Sequence, residues 1–399
     1  MKKNNKSTST QQKSATRVVH TGRDPDAQNG FVNPPAYRGS TVVFPTLARL
    51  QSRAQPYTYG RRGTPTTDAL EQAICDLERG AGTILVSSGL QAVSTTLLAF
   101  VEAGDEILMT DSVYQPTRVF CDGLLKRLGV STRYYDPTLG AGIEALITPK
   151  TRLVFTESPG SQTFEMQDIP AVSKVAHAHD LWHIMDNTWA SPLFFQPLEH
   201  GVDVSIQAAT KYIVGHADAM LGAITGNTRA YPYLNKAKEG LGTSPGSEET
   251  YLGLRGLRTM SVRLRQHHTS GLDIAHWLSE RPEVQTVMHP GLPSDPGHAL
   301  WKRDYSGASG LFGFRLKPAP QAALAAFVDD LAFFDMGYSW GGYESLILPC
   351  NPCTSRTATT WHEPDTGFTI RLHIGLEDVD DLKADLAAGL ERFNAASKT

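Results

Sequence analysis

The chain has 399 residues, 40% hydrophobic and 20% charged, enough to bury a sizeable core with room for a second domain. A formal net charge of −4, with Lys and Arg spread along the chain, gives no pull toward nucleic acid or an anionic membrane. Four cysteines in a chain of this size argue against a disulfide-stapled secreted protein.

The opening MKKNNKSTSTQQKSAT is polar, lacks an apolar h-region and reads as a disordered or loosely packed arm. No run approaches the roughly 18 apolar residues of a membrane span, so a cytoplasmic protein is expected. From about residue 66 helical periods alternate with short apolar runs. TDALEQAICDLERG puts Leu70, Ile74 and Leu77 on one helical face and stops at Gly80. TILVSS is a buried strand, GLQAVSTTLLAFVEAG a helix and DEILMT the next strand. GLLKRLG (helix), STRYYD and RLVFTE (strands), IPAVSKVAHAHD (helix), then WHIMD and VDVSIQA (strands) continue the alternation. That pattern predicts a parallel sheet with helices on both faces.

From about residue 247 the texture changes. EETYLGLRGLRTMSVRLRQHHTSGLDIAHWLSE predicts one long helix with a break, its arginines scattered over solvated or salt-bridged positions. SGLFGFRL, QAALAAFVDDL and FTIRLHIG follow, and then a last helix whose first turn is acidic, as a helix dipole favours. This part reads as a smaller α+β domain. Within it, CNPC (Cys350 to Cys353) lacks a second ligand pair for zinc and the strand-to-helix setting of a redox pair. It is expected to be reduced thiols in a loop, with no metal.

Ligands of open α/β sheets sit beyond the carboxyl ends of the strands. TILVSS is followed by Gly89 and Leu90 at a helix start, where free backbone N–H groups can cradle an anion. DEILMT leads to Tyr114, WHIMD ends on Asp186, and VDVSIQA runs into Thr210 and Lys211. Taken singly, each has a bland reading: a turn glycine, a packed tyrosine, a capping aspartate. Lys211 is harder to dismiss. It follows a strand core among small residues, with no acid near it in sequence, and desolvation there would make its neutral, nucleophilic amine accessible. An amine, a carboxylate, an aromatic face and an anion cradle together suit pyridoxal 5'-phosphate. That cofactor needs a Schiff-base lysine and a carboxylate that keeps its pyridine nitrogen protonated.

YGRRGTPT, MTDSVYQP, MDNTWA, QAATKYIVGHADAM, YSWGGYESL and IRLHIGLEDVDDL carry a resemblance that runs from about residue 16 to the C-terminus. The chain resembles the Cys/Met-metabolism family of pyridoxal-phosphate enzymes, and within it the bacterial cystathionine β-lyase branch. The resemblance implies the aspartate-aminotransferase-like α/β fold (fold type I), a large domain on a mostly parallel sheet plus a smaller C-terminal α+β domain. On this reading 1–60 is an arm and a segment contacting a neighbouring subunit, 61–256 the cofactor domain and 257–399 the C-terminal domain. It implies Lys211 as the Schiff-base lysine and the base at Cα, aided by Tyr114 in that step, Asp186 on the pyridinium, and Tyr114 stacked on the ring. Gly89, Leu90 and Thr210 would hold the phosphate, and Tyr59 and Arg61 would reach the phosphate of a neighbouring subunit, giving a homo-oligomer, usually a tetramer. Arg371 would clamp the substrate carboxylate, with the backbone of Ser339 and Trp340 beside it.

SPGS after Glu157 and SWGGYES stand where family members acting at Cγ carry TPTNP and SLGGVES. Both spellings resemble the β-lyase branch, as does Ala208 where many members have a serine for the phosphate. The implied reaction is β-elimination of the thioether cystathionine to homocysteine, pyruvate and ammonia. γ-Elimination or γ-replacement on the same scaffold is the first alternative, and a non-catalytic pyridoxal-phosphate module the second. Preference among cystathionine, cystine and cysteine is left open.

Overall fold

The computed structural model describes residues 12–361 and 367–398; most of the polar opening segment lies outside them. Seven strands form the larger sheet: β1 (Gly82–Val86), β2 (Glu106–Thr110), β3 (Ser131–Tyr135), β4 (Thr151–Glu157), β5 (Trp182–Asp186), β6 (Val204–Gln207) and β7 (Gly222–Gly226). Their order is β1-β7-β6-β5-β4-β2-β3. β3, β2, β4, β5 and β6 pair in parallel, while β7 runs antiparallel between β6 and β1.

Both faces of this sheet are covered except along the edge strand β3, which is why its inner strands read as apolar runs. Successive residues point to opposite faces. Ile84, Val86, Ile107, Met109, Leu153 and Phe155 join Val93 and Leu97 of the helix Gly89–Phe100 on one side. Leu108 and Val154 meet Val172 and Val175 of the helix Ile169–Ala178 on the other, and Leu85 meets Leu70, Ile74 and Leu77 of the helix Pro65–Glu78. β7 escaped the sequence reading because GAITG is short and bounded by glycines. Gly222 is required there: a Cβ would lie 2.3 Å from the Ser88 carbonyl oxygen.

The smaller sheet holds β8 (Val284–Met288), β9 (Leu311–Leu316), β10 (Asp335–Met336), β11 (Leu346–Cys350) and β12 (Thr369–His373), in the order β10-β11-β12-β9-β8. The helices Gln321–Val328 and Val379–Ala396 pack on it through Leu324, Phe327, Leu382, Leu386 and Leu390. Cys350 belongs to β11, opposite Thr369, so the expected loop begins only at Asn351.

The predicted break in the long helix is absent: it runs unbroken over Ser247–Ser279 and spans positions 256 and 257. Two of its arginines also depart from the expected solvated face. Arg263 is buried and donates to the carbonyls of Tyr212 (2.8 Å) and Gly256 (2.7 Å), and Arg258 donates to those of Val18 and Thr21. Gly256 lets the helix pass against the turn after Lys211, since a Cβ would stand 2.1 Å from the Val214 carbonyl oxygen. No helix among the described residues is long and apolar enough to cross a membrane.

Candidate active site

The strand ends of the larger sheet converge on a cavity of about 490 Å³, within the size range of small-molecule sites. Gly89, Leu90, Tyr114, Asp186, Thr210, Lys211, Ser339, Trp340 and Arg371 all line it. These nine residues, far apart in the chain, meet in one place. Tyr59 and Arg61 do not line it. Tyr59 is exposed, and Arg61 stands 3.7 Å from Glu239 with its Nη1 buried and without an acceptor.

After β1, Ser88 caps the helix by accepting from the Gln91 amide at 3.1 Å. The N–H groups of Gly89 and Leu90, in the helix's first turn, have no intrahelical acceptor. Gly89 is pressed against Ala208: a Cβ on it would lie 2.5 Å from the Ala208 Cβ. The result is a cradle of bare amides, where phosphate oxygens are well held. The Thr210 hydroxyl is at the same end, but it also serves the fold, accepting from the Leu221 amide at 2.8 Å and bonding the Leu221 carbonyl.

Lys211 finds its acid in space. Asp186 closes β5, the strand beside β6, and its charge favours the ammonium. Burial opposes that more strongly, with help from the Arg371 charge, and the amine falls to about 8. Its Nζ donates to Ser339 Oγ at 2.5 Å and stands 5.2 Å from the centre of the Trp340 ring. The loop that supplies these partners is tightly set. Ser339 has φ 78°, and a Cβ on Gly341 would lie 3.0 Å from Lys211 Cα. A non-glycine residue in that region costs energy and marks a functional wall.

Asp186 accepts from the Thr188 amide (3.0 Å) and hydroxyl (2.6 Å), and Thr188 Oγ1 in turn accepts from the Ala208 amide (2.8 Å). Burial pushes this carboxyl up, while the Thr188 donors and Lys211 pull it down. Arg371, on β12, donates through Nη2 to the carbonyls of Ser339 (3.0 Å) and Gly337 (3.4 Å), which leaves the rest of its fork for a ligand. Among the polar residues of the site given no role in the sequence reading are Thr188, which orients Asp186, and Glu157, which ends β4 in register with Asp186 and accepts from the Tyr114 amide at 2.7 Å. A D-x-T spelling after a strand was the available signal for Thr188; nothing local marked Glu157.

A bare amide cradle, a buried lysine whose amine is held below its usual proton affinity, a buried carboxylate and an aromatic wall fit pyridoxal phosphate on this chain's own geometry. Fold and site together define a pyridoxal-phosphate enzyme of fold type I. The chain belongs to the Cys/Met metabolism PLP-dependent enzymes, whose family model matches residues 15–391. A Rhizobium johnstonii protein is 54% identical to it over 96% of both chains. The cystathionine β-lyase of Escherichia coli is 46% identical, covering 95% of this chain and 98% of its own. Among solved structures, a cystathionine γ-synthase from Xanthomonas oryzae superposes with a TM-score of 0.88 at 33% identity, covering 96% of this chain and 98% of its own.

Proposed function

We propose that this enzyme is a carbon–sulfur lyase that cleaves cystathionine on its β side, releasing homocysteine, pyruvate and ammonia. One observation carries the choice of branch. Both branch-specific spellings fall on the cavity wall, Pro159, Gly160 and Ser161 from one and Ser339 and Trp340 from the other. The higher identity to the β-lyase than to the γ-synthase supports the same choice.

Bound pyridoxal phosphate supplies an electron sink that stabilises negative charge at the substrate Cα. Gly89 and Leu90, with the Thr210 hydroxyl, hold its phosphate, and Asp186, oriented by Thr188, keeps its ring nitrogen protonated. Tyr114 covers one face. Arg371 takes the substrate carboxylate in its planar fork. Lys211 would anchor the cofactor, and as a free amine it would take up the proton from the substrate Cα. Its lowered proton affinity suits that work near neutral pH. Departure of the Cβ sulfur then follows.

Tyr59 and Arg61 complete the phosphate site of a neighbouring subunit in this reading. Their distance from their own cavity supports it, as do Phe31, Val43 and Leu47, each more than half exposed just upstream. The assembly in this reading is a homo-oligomer, a tetramer built from two dimers whose subunits share their sites. A cytoplasmic setting belongs to the same reading, supported by four free cysteines. Offering an activated homoserine ester with cysteine tests the rival: net synthesis of cystathionine would contradict the proposal.

A further inference from the structure

Two carboxyl groups end neighbouring strands and line one cavity, Glu157 on β4 and Asp186 on β5. Their surroundings differ. Asp186 has two donors from Thr188 and the favourable charge of Lys211. Glu157 has a single donor, the Tyr114 amide at 2.7 Å, and no ion pair among the described residues. The end of β4 is also pinned. Gln167 Nε2 donates to the Glu157 carbonyl at 2.8 Å, and the Gln167 amide donates to Ser158 Oγ at 2.9 Å. Glu157 therefore has little freedom to swing away from its neighbour.

Adjacent buried carboxyls rarely ionise together, and the proton stays on the one with fewer donors and no cation. Burial and the Asp186 charge both push Glu157 up, with the Tyr114 amide the smaller, opposing influence. The other charged or titratable groups lining the cavity are Tyr114, Lys211, Tyr338 and Arg371, and none of their side chains hydrogen-bonds Glu157. Tyr114 is the residue just before the helix Gln115–Phe120, so the bond to its amide holds the tyrosine at the start of that helix.

We propose that Glu157 is a positioning residue for the reaction: as a neutral acid it fixes the backbone of Tyr114, and so the aromatic wall, without setting a second negative charge beside Asp186. This rests on the cofactor lying between Tyr114 and Asp186, as proposed above.

Glu157→Gln and Glu157→Ala, prepared as cofactor-loaded enzymes, test it. The readouts are the pH midpoint at which the cofactor's absorbance band changes, and kcat/KM on whichever sulfur amino acid the wild type cleaves. Glutamine keeps an acceptor for the Tyr114 amide but cannot ionise. Its midpoint is expected within about 0.3 pH unit of wild type, and it restores kcat/KM to within about threefold. Alanine, lacking the acceptor, loses about tenfold or more in kcat/KM. A midpoint lower by about one unit in the glutamine variant would show that wild-type Glu157 is charged and overturn the proposal. So would a glutamine variant as impaired as alanine, or an alanine variant as active as wild type. If the alanine variant does not fold, the glutamine variant decides through both readouts. The absorbance band needs no substrate, so this arm stands even if cystathionine is not what the enzyme cleaves.

Discussion

Lys211 shows how one residue can be legible in sequence while its chemistry is not. A lysine directly after an apolar strand announces itself, but the acid that answers it sits on the neighbouring strand, 25 positions earlier by residue number (211 − 186). The same holds for Glu157 and Thr188, whose meaning depends on the register of β4 with β5 and on the turn after β5. An amine at about 8, against an ordinary value near 10.4, loses its proton as pH rises through about 8. Cofactor capture by the apo-protein should accelerate from pH 6 to about 8 and then level off. Stopped-flow absorbance after mixing with pyridoxal phosphate checks this; a rate still climbing toward pH 10 would point to an unperturbed lysine. Arg371→Lys should lower kcat/KM by roughly 10- to 100-fold, because an ammonium cannot replace a two-pronged grip on a carboxylate. Steady-state kinetics would show the loss, with the cofactor band unchanged.

At the scale of elements, the alternation of strand and helix up to residue 207 was readable because the strands inside the sheet are buried on both faces and the helices on one, with only the edge strand β3 partly exposed. The elements that escaped were decided by distant contacts. β7 exists because a glycine-bounded segment fits between β1 and β6. The unbroken helix Ser247–Ser279 tolerates Gly253 and Gly256 because its neighbours pass too close for side chains there. Asp111, just after β2, is another such case. Its buried carboxylate pairs with Arg118 at 2.7 Å and accepts from the amides of Thr357, Ala358 and Thr359, tying a loop of the smaller domain to the larger one. Asp111→Ala would strand Arg118 without its partner and free that loop, costing about 3–5 kcal/mol. A lower melting temperature with early proteolytic nicking in 351–361 is the expected readout, and an unchanged protease pattern would contradict it.

For the molecule as a whole, the account requires more than one copy per site. Arg61→Ala and Lys211→Ala variants should each be nearly inactive alone. If the site is shared, random mixing after dissociation should recover roughly a quarter of wild-type sites, because half of the dimers are mixed and each of those rebuilds one site. If Arg61 serves its own chain, mixing recovers nothing. The two-sheet architecture follows from the sequence pattern with few surprises, while the expectation of an assembly came only through resemblance, since exposed residues such as Phe31 and Val43 carry no periodic signal of a partner. The central claim is the bond that breaks. Incubating the cofactor-loaded enzyme with cystathionine and identifying the keto acid and the thiol tests it most directly. Pyruvate with homocysteine is the predicted result; 2-oxobutyrate with cysteine would keep the fold and the cofactor but contradict cleavage on the β side.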